Sequence, residues 1–321
     1  MRKIGVAVVG AGFWGRNHAR NLKELDETRL LAVCDKDEAK AKAVADLFGI
    51  DAYTDSSKML KRQDIEAVTI CTWSTTLAAE AMRALRSGKH VLVEKPMANN
   101  VREAQRIIEL AKTRHRYVMV GFLMRFIPGV QRIKQAIEKG EIGSVVYATA
   151  RRVSQWPERL GDVGVVKDLA IHDIDIMRYV FSDEPVEVYA KAGSLRHKKF
   201  EDHAQILVTF KGRKTAFIEA NWLTPYKIRK LTVTGSEAIM TLDYITQEIT
   251  LETAGQTLAP RYDIKEPLKL ELQHFANCII NDREPATTGM DGVKALQIAE
   301  AALKSAKTGK AMKLKTFQAP I

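Results

Sequence analysis

Apolar and polar positions along the chain follow two different patterns. In the first third, short continuous apolar runs are separated by helical stretches. KIGVAVVG is almost wholly apolar, as expected of a strand buried on both faces of a parallel sheet. NHARNLKEL follows with its apolar residues at helical spacing. The exchange then recurs through RLLAVCD, EAKAKAVADLF, IEAVTICT, TLAAEAMRALRSG, HVLVEKP, VREAQRIIELAKTR and YVMVGF. Alternation of this kind predicts a doubly wound parallel sheet of the Rossmann type over residues 1–121.

From about Gly121 the pattern changes. PGVQRIKQAIEKG predicts a helix, and VVYATARRV alternates with a period of two. VEVYAKAGS, AQILVTFK, KTAFIEANW, IRKLTVTG and EAIMTLDYIT follow as short strands joined by turn residues, which predicts a mostly antiparallel sheet. LELQHFANCIIND and GVKALQIAEAALKSAKTG predict two closing helices. The expected class is α/β, with an α+β domain over residues 122–321 whose last helices pack back on the first domain.

Gly10, Gly12 and Gly15 occupy the turn between the first strand and the first helix. That context makes GAGFWG a dinucleotide fingerprint, including Phe13 and Trp14. Gly10 permits the tight turn, Gly12 lets backbone approach a pyrophosphate, and Gly15 allows close helix–strand packing. Asp35 ends the second strand 20 residues after Gly15, where a carboxylate holds ribose hydroxyls and repels a 2′-phosphate. NAD is therefore expected over NADP. His18, three residues past Gly15, reads as a packing or hydrogen-bonding histidine. Glu94-Lys95-Pro96 follows another strand, where open α/β sheets place ligands. A substrate-facing lysine and an ordinary surface turn are equally compatible with that position.

KDLAIHDIDIMRYV is the segment richest in candidate chemistry. On a helical wheel Asp168, His172, Asp175 and Tyr179 fall on one stripe of an otherwise apolar helix. A carboxylate four residues before an imidazole can orient it and raise its basicity, as a general base requires. A buried pair that merely satisfies itself is the simpler reading. The dinucleotide fingerprint favours the base, because removing hydride from an alcohol carbon also requires removing the hydroxyl proton. Asp173 lies off the stripe, with a local structural partner expected.

Composition narrows the classes. The 321 residues carry a net charge of +11, but Lys and Arg are scattered, and the densest stretch, KSAKTGKAMKLK, has no interleaved aromatics. That excludes an evident nucleic-acid surface while suiting an anionic small molecule. No apolar run reaches the ~18 residues of a membrane span, and the N-terminal apolar run is too short for a signal peptide. A cytoplasmic protein is expected. Cys34, Cys71 and Cys278 have neither disulfide nor zinc spacing, so free thiols and no metal are expected.

The chain resembles the glucose–fructose oxidoreductase / inositol dehydrogenase (Gfo/Idh/MocA) family. The likeness rests on VAVVGAGFWGRNHARNL, GKHVLVEKPMA, GFLMRF, DLAIHDIDIMRY and the HFANCIINDREPATTG region. It implies a Rossmann domain and a large open sheet that often forms a homodimer or homotetramer interface. It also implies NAD(P)-dependent oxidation or reduction of a sugar or cyclitol carbon. Lys95 becomes the lysine contacting substrate and cofactor, His172 the acid/base, and Asp168 its partner or a substrate contact. Asp175 supports them from behind, and Arg125 and Trp156 become contacts to substrate or nicotinamide. Many members read T-P-N-x-x-H after the strand ending Ile70-Cys71; here Thr72 and Trp73 begin a different turn that meets the cofactor. Two further stretches, DLAIHDIDIMRYVFSDEPVEVYA and EANWLTPYKIRKLTVTGSEA, look most like UDP-N-acetylglucosamine 3-dehydrogenases. Alternatives are a free-sugar or myo-inositol dehydrogenase and a non-catalytic NAD-binding sensor, which would not need Lys95, Asp168 and His172 together.

Overall fold

In the computed structural model, which describes residues 2–158 and 161–314, the apolar runs of the first third become parallel strands. These are β1 (Ile4–Val9), β2 (Thr28–Cys34), β4 (Ala67–Ile70), β5 (His90–Val93) and β6 (Val118–Val120). A short strand without an apolar signature, β3 (Asp51–Tyr53), pairs with the edge of β2. Among the described residues the sheet has six strands in the order β3-β2-β1-β4-β5-β6, all parallel. The order reverses between β1 and β4, the switch point at which such sheets open a crevice.

Helices α1 (Phe13–Glu24), α2 (Glu38–Phe48), α3 (Ser56–Met59), α4 (Ser74–Arg86) and α5 (Val101–Arg114) connect these strands. Local chemistry sets their ends. Asp37 caps α2 by accepting the Lys40 N–H, and Gly49 closes it in the left-handed region. Asn100 caps α5 by accepting the Glu103 N–H, while Glu103 accepts the Asn99 N–H. Helix α8 (Pro267–Ile280) belongs to the same unit and lies against α1. Polar contacts fasten it: Arg20 to Glu266 at 2.5 Å, Lys269 to Glu24 at 3.1 Å and Gln273 to Glu27 at 2.8 Å.

The chain divides into two units, Met1–Leu123 with Glu266–Lys294, and Met124–Lys265 with Ala295–Ile321. The second unit holds α6 (Pro128–Glu138), β7 (Val145–Val153), α7 (Ile171–Phe181), β8 (Pro185–Gly193), β9 (His203–Phe210) and β10 (Thr215–Asn221). It continues through β11 (Ile228–Gly235), β12 (Ile239–Asp243), β13 (Ile249–Glu252), β14 (Thr257–Leu258) and β15 (Met312–Lys313). Helix α9 (Gly289–Thr308) begins in the first unit and ends in the second. Among the described residues the large sheet has nine strands in the order β14-β13-β12-β11-β7-β10-β9-β8-β15. Its pairings are antiparallel except β7 with β10, which run parallel.

Alternation places Ala148, Ala150, Val188, Ala190, Ile206, Val208, Ile218, Leu231 and Val233 on a buried face, where α7 packs against β10. Tyr147, Tyr189, Leu207 and Phe217 point to the other face and remain exposed. The last lysine of the basic C-terminal stretch, Lys315, lies outside the described residues. No described helix is long and apolar enough to cross a membrane. Among the described residues no cluster of His, Cys, Asp and Glu is suited to a metal ion, and the three cysteines are free.

Candidate active site

The first unit builds a cradle from the turn between β1 and α1. Gly10 has φ +100°, and a Cβ there would lie 2.6 Å from the Cys71 carbonyl oxygen. A Cβ on Gly15 would lie 1.7 Å from the Gly10 carbonyl oxygen, so only glycine lets α1 sit this close to the strand. Gly12 is different: a Cβ there would meet nothing within 4 Å. Its open side is where backbone can approach a ligand. Gly12 also heads α1 with no side-chain cap and no acidic residue in the first turn, leaving N–H groups and the positive dipole end for an anion. These features fit the pyrophosphate of NAD.

Asp35 closes this turn from β2. Its Oδ2 accepts the Ala11 N–H at 2.7 Å and its Oδ1 accepts the Asp37 N–H at 2.9 Å. The carboxylate thus shapes the glycine turn while keeping further lone pairs for ribose hydroxyls. Phe13 and Trp14 meet edge to face at 5.6 Å and are both exposed. Thr72 accepts from Thr76 Oγ1 at 3.0 Å at the start of α4, and Trp73 is exposed beside it.

Glu94 and Lys95 stand at the end of β5. Glu94 is buried; its Oε1 meets His18 Nε2 at 3.1 Å, and its Oε2 accepts the Lys95 N–H at 3.2 Å. His18 is fully buried and is thus a hydrogen-bonding partner of Glu94 within the core. Lys95 is half-buried and precedes Pro96 through a cis peptide bond. Glu271, on α8, is also fully buried. Burial, reinforced by Glu94, raises its carboxyl well above the ordinary range. Nothing in the local pattern of LELQHFANCIIND distinguishes that glutamate from a solvated one.

The second unit carries the polar helix. Residues Val166–Ala170 form a π turn, and α7 continues from Ile171. The wheel spacing of 100° therefore does not apply between Asp168 and His172, because the wider i→i+5 turn changes their relative direction. Asp168 is half-buried, while His172, Asp173 and Asp175 are buried. Asp175 is engaged by Arg125, whose Nε donates at 2.7 Å and whose second nitrogen donates at 2.5 Å. Arg125 also stands 5.1 Å from the centre of the Tyr179 ring. Arg125 thus clamps Asp175 on α7. Asp173 pairs with a residue distant in sequence rather than a local one: buried Arg152 on β7 donates to it through two nitrogens at 2.7 and 2.9 Å.

Trp156 lines a cleft of about 810 Å³ with Pro157, Arg196, Trp222 and Pro225. Its ring lies 6.3 Å from that of Trp222, edge to face, and the Arg196 guanidinium sits 4.5 Å above it. Sequence reading singled out Trp156 but neither Trp222 nor Arg196, which reach the cleft from other strands and loops.

Comparison with known proteins agrees with this two-unit fold. Residues 4–122 match the model of an oxidoreductase family with an NAD-binding Rossmann fold, and residues 130–241 match the GFO/IDH/MocA C-terminal domain. An inositol 2-dehydrogenase of Rhizobium meliloti is 32% identical, over 94% of this chain and 96% of its own. The aldose–aldose oxidoreductase of Caulobacter crescentus superposes with a TM-score of 0.91 at 25% identity, covering 98% of this chain and 100% of that one. A UDP-N-acetylglucosamine 3-dehydrogenase of Acidithiobacillus ferrooxidans superposes with a TM-score of 0.88 at 26% identity, covering 96% and 99%.

Proposed function

Because the chain belongs to the Gfo/Idh/MocA family of NAD-dependent oxidoreductases acting on CH–OH groups, we propose that its substrate is a sugar or cyclitol whose ring hydroxyl it oxidises. The observation that supports this reading is the presence of half-buried Asp168 and buried His172 on one helical segment, in a chain that also builds the glycine cradle. Bound NAD supplies the two-electron acceptor that such an oxidation requires. The chain's own residues do the rest. Gly10, Gly12 and Gly15 with the N-terminus of α1 hold the pyrophosphate, and Asp35 selects an unphosphorylated ribose. His172 takes the hydroxyl proton, and Asp168 orients it or holds a neighbouring substrate hydroxyl. Lys95 is the first unit's candidate for polarising the reacting oxygen. Arg125 fixes Asp175 and with it the face of α7 that bears His172.

Two substrate classes fit. The inositol dehydrogenase relative supports a cyclitol or free sugar. The UDP-N-acetylglucosamine 3-dehydrogenase likeness supports a nucleotide sugar oxidised at its 3-hydroxyl. A homodimer or homotetramer formed through the exposed face of the large sheet belongs to the same proposal.

The test is nicotinamide reduction by the purified chain with NAD and, separately, myo-inositol, glucose and UDP-N-acetylglucosamine. Lys95→Ala and His172→Ala are each expected to lower kcat by about 10²–10⁴-fold, while in His172→Ala the Kd for NAD stays within about threefold. Full activity in both variants overturns the assigned roles. No oxidation of any substrate by a chain that binds NAD turns the reading toward a sensor.

A further inference from the structure

Strands β7 and β11 are antiparallel with Arg152 directly opposite Arg229. The neighbouring pairs Ala150–Leu231 and Ala148–Val233 are buried, so the two arginines share the inner face of the sheet. Like charges placed opposite each other on a sheet repel. Arg152 is neutralised by Asp173. Arg229 has no equivalent: among the described residues its guanidinium makes no ion pair or hydrogen bond. Lys227, two residues earlier, adds a third cation. The charged groups felt by Arg229 are Arg152 on β7, Asp173 on α7 and Asp168 on the π turn. Burial and Arg152 push Arg229 down to about 10, and Arg229, burial and Arg152 together lower Lys227. Arg229 remains a cation at neutral pH.

An arginine left largely out of water, beside other cations and without a protein partner, lowers stability. Such arrangements concentrate at functional sites, where a ligand supplies the missing charge. Asp168, part of the proposed acid/base pair, contributes to the field at Arg229, which ties the cluster to that chemistry. A planar guanidinium fork matches phosphate or carboxylate oxygens. Pro225, two residues before Lys227, lines the Trp156–Trp222 cleft, whose volume suits a substrate larger than one pyranose ring.

We propose that Arg229 and Lys227 bind an anionic substituent of the sugar substrate, a phosphate or carboxylate, and so select a charged sugar over a neutral sugar or cyclitol. This rests on the reading of the chain as a sugar-hydroxyl dehydrogenase. It goes beyond that reading by assigning substrate choice to two residues outside the acid/base helix.

The experiment uses the full chain saturated with NAD, and the variants Arg229→Gln, Lys227→Gln and Arg229→Lys. Relative kcat/KM is measured for glucose 6-phosphate, glucuronate and UDP-N-acetylglucosamine against glucose and myo-inositol. Inorganic pyrophosphate binding is measured by calorimetry on the same samples. Arg229→Gln is expected to lower the anionic-to-neutral ratio at least tenfold, with the loss in KM, and to weaken pyrophosphate at least tenfold. Arg229→Lys restores part of both. Without ligand, Arg229→Gln melts at or above the temperature of the parent chain, because it removes an uncompensated charge. The phosphate and carboxylate substrates identify which anion is read. An unchanged ratio with unchanged pyrophosphate binding overturns the proposal. If no sugar is oxidised, the dehydrogenase reading fails, and the pyrophosphate measurement still decides whether Arg229 holds an anion.

Discussion

A single histidine illustrates how this chain commits side chains to one protonation state. His90 Nδ1 accepts the Tyr117 N–H at 3.1 Å, and the two rings stack at 5.3 Å. Burial, then the Arg116 charge, lowers its pKa to about 4, with Glu66 and Asp282 opposing and Arg2 assisting. Protonation would consume the lone pair that Tyr117 uses. An unfolded histidine titrates near ~6.5, so between ~6.5 and about 4 the unfolded chain binds more protons. Stability contributed by neutral His90 is therefore present above pH ~6.5 and is lost as pH falls toward 4. Allowing for partial exposure, the loss is about 1–2 kcal/mol. His90→Asn keeps an acceptor but cannot titrate there. Melting temperatures between pH 7 and 4 are expected to fall less steeply in that variant, and parallel curves would refute the linkage.

At the scale of elements, what could be read in advance was whatever depended on neighbours along the chain. KIGVAVVG, the glycine turn and Asp35 declare their chemistry within 35 residues, and each lies where its local pattern placed it. β3 and β15 have no apolar signature; pairing with a neighbouring strand holds them, and pairing is a long-range property. The π turn at Val166–Ala170 was not legible, because nothing in KDLAIHDID distinguishes an i→i+5 turn from an ordinary one. Arg229 was equally silent, since its isolation exists only through the β7–β11 register. Asp173 was no more legible: the sequence suggested only a local partner, and the observed one, Arg152, lies 21 residues away on β7. This pair crosses from sheet to helix, both side chains are almost fully buried, and the guanidinium stands 5.2 Å from the centre of the Tyr244 ring. Removing one member leaves the other buried and uncompensated. Asp173→Asn is expected to cost about 3–5 kcal/mol, measured by urea unfolding. Replacing both residues, Arg152→Met with Asp173→Leu, should recover most of that loss. A double variant no better than the single one would mean that the pair fixes the position of α7 in a way that packing cannot replace.

At the scale of the molecule, the large sheet presents two faces with different tasks. The inner face buries Ala150, Ile206, Ile218 and Leu231 and carries the Arg152–Asp173 anchor beneath α7. The outer face places Tyr189, Leu207 and Phe217 in one row across β8, β9 and β10, continued by Thr149 and Thr232. Leu207 and Phe217 are 43% and 41% exposed, although each lies on a strand hydrogen-bonded on both sides. Arg151–Glu219 and Lys230–Asp243 pairs add polar groups to the same face. An apolar row with polar neighbours has the composition of a protein interface, and one continuous patch of this kind can serve both sides of a symmetric contact. Phe217→Lys with Leu207→Lys would place two charges at the centre of that row without disturbing the buried side of either strand. Light scattering is expected to show a parent mass that is a multiple of 35.9 kDa, and a variant mass reduced by half or to the monomer at micromolar concentration. Nicotinamide reduction by the dissociated variant then shows whether each chain carries a complete site. An unchanged mass would place the contact between subunits elsewhere and leave this face to a different partner.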